Sequence, residues 1–227
     1  MPRFFAPAED ATDWRRLLAK PDLHWKTGYS ARSLAYSWTE AQGFPREVQA
    51  VFDEADAACL HDLEFLIGIP EHEVPLPGGR RPSQNDVFVL AKGSDGLVSI
   101  AVEGKVSESF DSPVDERFAQ PTPGQTTRLE FLLKLLELNR DDVGGIGYQL
   151  LHRTASSMLE ARRFGARHAV MLVHSFSQEM EHFDDYAGFV ALFGQAAEAN
   201  RLTEARRFGD ITLYLSWVVG NALYLTR

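Results

Sequence analysis

Asp86, Glu103 and Lys105 are the residues whose types and spacing point to chemistry. Asp86 opens the apolar run Val87–Leu90, and Glu103-Gly104-Lys105 closes the run Val98–Val102, with Lys92-Gly93-Ser94-Asp95-Gly96 as the turn between them. Side chains alternate along a strand, so Glu103 and Lys105 leave one face about 7 Å apart. In an antiparallel pair the start of the first run lies beside the end of the second, which brings the three charges to one spot. Charges are kept off the ends of apolar strands unless solvated or paired. Two carboxylates and water suit Mg²⁺ or Mn²⁺. A lysine beside them would orient or deprotonate a water, or neutralise charge building on a phosphate. The plainer reading is a solvated ion pair at a strand end, worth about 0–1 kcal/mol.

The elements that position these residues follow from pattern. Ser30 reads as the N-cap of a helix over 31–42, and Pro45 fits the first turn of another over 46–58. Alternation in 60–69, closed by Gly68 and Pro70, predicts a strand, and the proline-rich 70–82 a loop. After the two strands of 83–105 comes a loop over 107–125, then a helix over 129–138 capped by Thr126 or Thr127. A long helix over 147–163 carries the polar line Gln149, His152, Arg153, Ser156 and Glu160. Residues 169–173 read as a buried strand, 185–198 as a helix, and 211–217 as a strand turning at Gly220-Asn221 into a short partner over 222–225. Gln149 and Arg153 are one helical turn apart, placed to address a phosphate or an activated water. His152 beside them is a further candidate to touch substrate, with a hydrogen-bonded structural role as the simpler reading. Glu64, on the strand before Asp86, is a candidate third carboxylate. The histidines show no ligand spacing that would suggest a structural zinc.

An acidic residue on one strand followed by Glu-x-Lys at the end of the next resembles the PD-(D/E)xK nuclease superfamily, the restriction-endonuclease-like fold. The match covers Asp86, Glu103 and Lys105; the superfamily's leading Pro-Asp stands here as Asn85-Asp86, with Pro82 four residues before the aspartate. Lys105 alone among five lysines, set against eighteen arginines, has an acid two residues before it. The order helix, three strands, helix, strand is similar to the superfamily's αβββαβ core. The resemblance implies an α/β fold with a mixed central sheet flanked by helices, the strand over 169–173 lying beside the Glu-x-Lys strand. N-terminal helices and a C-terminal helix plus β-hairpin would be additions. It implies metal-dependent hydrolysis of phosphodiester bonds in DNA. Asp86 and Glu103, with Glu64 or with Glu47 or Glu54 from the preceding helix, would bind Mg²⁺ or Mn²⁺. Lys105 would position the water, and Gln149 or Arg153 would steady the scissile group. The alternative is a catalytically inactive member of that fold, acting as a nucleic-acid- or protein-binding or regulatory module.

Composition bounds these readings. At 227 residues the expectation is a single domain, with an N-terminal helical part (1–58), a core (59–175) and a C-terminal extension (176–227). A net charge of −9 argues against loose adhesion to nucleic acid but leaves room for a local basic groove. Candidates are Arg80-Arg81, Arg162-Arg163 with Arg167, and Arg206-Arg207, with Arg81 the one expected to touch substrate. A lone cysteine, Cys59, excludes an internal disulfide and suits a reducing cytoplasm. No apolar run approaches a membrane span, and no basic-then-apolar leader opens the chain. The C-terminal hairpin with Trp217 and Tyr224 is the surface expected for a homodimer.

Overall fold

Alternating apolar runs assemble into one mixed-polarity sheet, which the computed structural model describes together with its flanking helices over residues 10–227. Its strands are β1 (Glu64–Val74), β2 (Ser83–Gly93), β3 (Gly96–Lys105), β4 (His168–Ser175), β5 (Arg201–Leu202), β6 (Arg206–Phe208) and β7 (Ile211–Val219). They lie in the order β1-β2-β3-β4-β7-β5, with β6 also on β7. The first three are antiparallel neighbours; β4 runs parallel to β3, and β7 parallel to β4. Of the N-terminal helical part, residues 1–9 lie outside the described residues.

Helices cover both faces. On one, α2 (Ser30–Ala41) and α3 (Arg46–Asp53), preceded by the single turn α1 (Pro21–His24), set Trp38 and Phe52 against Val98, Ile100, Val102 and Val170. On the other, α4 (Val114–Arg117), α5 (Pro123–Leu136), α6 (Tyr148–Phe164) and α7 (Phe183–Ala191) pack over Met171, Val173, Leu213 and Trp217. Strand β4 is apolar on both sides because it lies in the middle of this sandwich of layers. Helix α6 comes close to β3 because small residues meet there. Ser99 Oγ donates to the Ser157 carbonyl at 2.8 Å, and Ala101 is buried beside it on the same strand. That approach lets the first half of α6 reach the end of β3.

Several elements depart from the sequence expectations for identifiable reasons. Strand β1 continues through Pro70 to Val74; it is an edge strand, where a proline's missing N–H is tolerated. Helix α3 stops at Asp53, which leaves Glu54 outside it. Helix α5 starts at Pro123, capped by Thr122 in a reciprocal box with Gln125, not by Thr126 or Thr127. Ser30 is the first helical residue of α2 and not its cap; the Glu108 carboxylate accepts its backbone N–H at 3.0 Å. Helix α7 ends at Ala191. The expected C-terminal hairpin is absent: Ala222–Thr226 is a 3₁₀ turn capped by Asn221, and β7 belongs to the main sheet. Trp217 is fully buried against Phe183 and Tyr186, so it offers no homodimer surface. No helix among the described residues is long and apolar enough to cross a membrane.

Candidate functional site

Pairing of Val87 with Val102 sets Asp86 beside the Glu103-Gly104-Lys105 segment, where the hairpin pattern places it. Gly104 donates its N–H to Asp86 Oδ2 at 2.7 Å. A side chain at 104 would meet Asp86 Oδ2 at 3.3 Å and Leu34 of α2 at 3.2 Å, so the glycine permits both approaches. Glu103 and Lys105 are nearly closed to solvent, at 4% and 3% exposure. Both point to the α6 side of the sheet, where Gln149 and Arg153 come down on them.

A dense network results. The Lys105 ammonium donates to Glu103 Oε1 (3.1 Å), Gln149 Oε1 (2.7 Å) and the Ser109 carbonyl (3.2 Å), which engages all three of its N–H groups. Gln149 Nε2 donates to Glu103 Oε1, so the amide bridges the lysine and the carboxylate. Arg153 Nε donates to Glu103 Oε2, and its Nη1 to Ser83 Oγ at 3.1 Å. Glu103 therefore has both oxygens in charge-assisted hydrogen bonds.

Asp86 is different, and it has a neighbour that sequence reasoning missed. Strand β1 pairs Pro70 with Val87 and His72 with Asn85, so Glu71 falls opposite Asp86. Its backbone is left-handed (φ 51), which costs an L-residue about 1–2 kcal/mol. Its Oε2 accepts from Gln84 Nε2 at 2.9 Å. Burial pushes the Asp86 carboxyl up to about 7; the Glu103 charge adds to the rise, and Arg153 and Lys105 oppose it. Glu71 is raised well above the usual carboxylate range by burial and then by Asp86. Three carboxylates face two cations, which leaves one formal negative charge.

The cluster lines a cavity of about 630 Å³, whose lining also includes His24 and Ser30. Among the described residues no group of three or more His, Cys, Asp or Glu side chains is placed to hold a metal ion. Mg²⁺ ordinarily takes one or two carboxylates and keeps several waters. Asp86 and Glu71, cavity-lining acids with raised pKa values, fit that mode; Glu103 does not offer a free oxygen in this arrangement.

The structure brings Asp86, Glu103, Lys105, Gln149, His152 and Arg153 to this cavity. His152 Nδ1 lies 2.8 Å from Ser83 Oγ, and burial followed by the Arg153 charge depresses its pKa well below 6.5, which keeps the ring neutral. Glu64 is elsewhere: it pairs with Lys92 at the far end of the antiparallel β1–β2 ladder, so it cannot be a metal ligand here. Glu47 lies on the opposite face of the sheet, 3.2 Å from His174 Nε2. Glu108 is spent on backbone N–H groups of Ser30 and Val106; burial opposes its charge, yet those bonds hold its pKa below 4.5. Arg81 lines a neighbouring hollow and not this cavity. Glu71 was missed because Pro70 seemed to end its strand. Counting register back from Asp86 would have found it.

The sequence pattern of one family, described as a domain of unknown function (DUF6946), matches residues 7–222. The chain belongs to the DUF6946 family. Neither the curated proteins nor the solved structures contain a match. In this DUF6946 chain the matched span includes every residue of the cluster, from Glu71 to Arg153.

Proposed function

We propose that this chain is a metal-dependent phosphodiesterase acting on DNA, built on a restriction-endonuclease-like core. One observation carries the reading: Asp86, Glu103 and Lys105 share a cavity with a third acid, Glu71, and with Gln149 and Arg153. The order of α2–α3, β1–β3, α6 and β4 supports it, as does the parallel pairing of β3 with β4. Asp86 and Glu71 would hold Mg²⁺ or Mn²⁺, which would supply an acidified water and positive charge at the phosphate. Lys105 is fixed by Glu103, Gln149 and the Ser109 carbonyl, so it would offer the cavity a positive charge held in place, not a free N–H. Arg153 adds a second fixed positive charge, oriented by Glu103.

The test is cleavage of labelled DNA with Mg²⁺ or Mn²⁺ by wild type, Asp86→Asn and Lys105→Ala, with circular dichroism to confirm folding. Cleavage by wild type that is lost in both variants is expected. A variant that cleaves as well as wild type would retire the mechanism.

A specific observation favours the rival reading of a non-cleaving binding module: Glu103 and Lys105 are saturated by one another and by Gln149, Ser109 and Arg153. Such a locked network suits a structural role as well as a preorganised one. Calorimetric titration with Mg²⁺ and Mn²⁺ separates the two, because the module predicts no heat of binding and no rise in melting temperature.

A further inference from the structure

Beside the acidic cavity lies a second hollow, of about 260 Å³, with the opposite charge. Arg80, Arg81, Arg117 and Arg128 line it, and no carboxylate does. Arg117 pairs with Asp111 at 2.8 Å and lies 4.5 Å over the Tyr148 ring. Arg128 donates to the backbone carbonyls of Pro77 and Leu76, which position it without neutralising it. Arg80 and Arg81 are exposed and form no ion pair among the described residues. Four guanidiniums with a single carboxylate partner are a local inversion of sign in a chain of net charge −9.

The loop bearing Arg80 and Arg81 is held in place. Gly78 has φ +78, and a Cβ there would lie 2.1 Å from the Gly124 carbonyl, so the loop crosses directly on the first turn of α5. The amino end of that helix, with Gln125 in the hollow's wall, adds its positive dipole to the same side.

The hollow and the cavity share a boundary. Arg81 lines one and Pro82 the other; so do Tyr148 and Gln149, and the Asp111–Arg117 ion pair spans the two. Glu103 and Lys105 sit near the floor of the cavity, almost without exposure. A duplex holds its phosphates on a stiff outer surface, whereas a single strand can bend one phosphodiester inward and leave its neighbours outside.

We infer that the arginine-lined hollow is a track for the backbone of single-stranded DNA, gripping phosphates next to the one that enters the acidic cavity. The inference deepens the phosphodiesterase reading and rests on it for the strand's destination.

The experiment uses the full chain in EDTA, where no cleavage is asked of it. Fluorescence anisotropy follows binding of a fluorescein-labelled oligothymidylate, and of a labelled duplex of equal length, across a salt series. The double variant Arg80→Gln/Arg81→Gln changes only exposed side chains, and Arg162→Gln/Arg163→Gln serves as the control pair. Each phosphate contact on a single strand contributes about 0.7 to the log–log salt slope, so losing two lowers it by about 1.4. Expected are preference for the single strand, weaker binding and a shallower slope in the first variant, and no change in the control. The track is overturned if wild type fails to bind the oligothymidylate, prefers the duplex, or binds equally well without Arg80 and Arg81. Cleavage with Mg²⁺, scored separately, keeps the two ideas apart. Arginine-dependent binding without any cleavage rejects the phosphodiesterase alone; cleavage with arginine-independent binding rejects the track alone.

Discussion

Replacing Asp86 with asparagine should make the protein more stable near pH 8 while removing its response to Mg²⁺. Burial and the Glu103 charge raise the Asp86 pKa from 3.8 to about 7. At 1.36 kcal/mol per pH unit, that sets an upper bound of about 4 kcal/mol on the cost of ionising it in the folded state. Asp86 lines an open cavity, and solvent screening there brings the expected gain to about 1–2 kcal/mol. Asparagine can still accept the Gly104 N–H, so the local hydrogen bond survives. The sign follows from a folded pKa above the unfolded one: the folded state holds the extra proton, so stability falls as pH rises from about 4 to about 7 and then levels. Below about pH 4 the aspartate is protonated in both states, and the two proteins should melt together. In a chain of this size 1 kcal/mol moves the melting temperature by about 2–4 °C, so the gap near pH 8 should be about 2–8 °C. Thermal melts in EDTA from about pH 4 to 8, repeated in millimolar Mg²⁺, read both effects. Wild type should gain about 2.7 kcal/mol when Mg²⁺ reaches a hundred times its Kd, and the asparagine variant little. A variant less stable than wild type near pH 8, a gap that ignores pH, or equal Mg²⁺ shifts would refute the reasoning.

Three further outcomes concern the scaffold. Gly78→Ala should destabilise by about 2–4 kcal/mol in urea denaturation, since its Cβ meets the Gly124 carbonyl and its φ is positive. Gly79→Ala, whose nearest neighbour is the flexible end of Arg128 at 3.2 Å, should cost far less. His174→Ala should cost about 3 kcal/mol by the same assay, because it leaves the Trp38 indole N–H without its acceptor and opens a void beside Phe176; a red shift of tryptophan emission in the folded variant would report the loosened site. Thr122→Ala should cost about 1 kcal/mol through loss of the capping box, while Thr126→Ala should cost less.

The hairpin of β2 and β3 was legible because its alternation, its turn and its flanking charges agree with one another. Long α6 and buried β4 were legible from periodicity and from length with flanking glycine. What escaped the sequence depends on contacts between distant segments. Pro70 ends a strand by local rules, yet an edge position lets β1 run on, and with it Glu71 enters the site. Ser30 looks like a cap, but Glu108, far along the chain, takes its N–H. Trp217 reads as surface if 222–225 pairs with its strand, but β7 is flanked by β4 on one side and by β5 and β6 on the other. Glu64 is a candidate acid only while its strand ends at Pro70; the antiparallel register carries it to Lys92, away from Asp86.

The centre divides into halves with different physics. Glu103, Lys105, Gln149 and Arg153 form a network in which both Glu103 oxygens and all three Lys105 N–H groups are used. Buried ion pairs of this kind seldom stabilise a fold relative to apolar residues of the same volume, because desolvation offsets their attraction. Asp86 and Glu71 form the other half, with raised pKa values and, at Glu71, a left-handed backbone. Each feature is unfavourable for folding alone, and the raised carboxyls and the left-handed residue lie together in one cavity. Strain and unfavourable ionisation gather where a site binds something that relieves them. A hard cation would relieve the acid pair, and a phosphate would meet the two fixed positive charges beside it. On the proposed reading the rigid half would orient what the open half binds, a division of labour that a merely solvated strand end would not need.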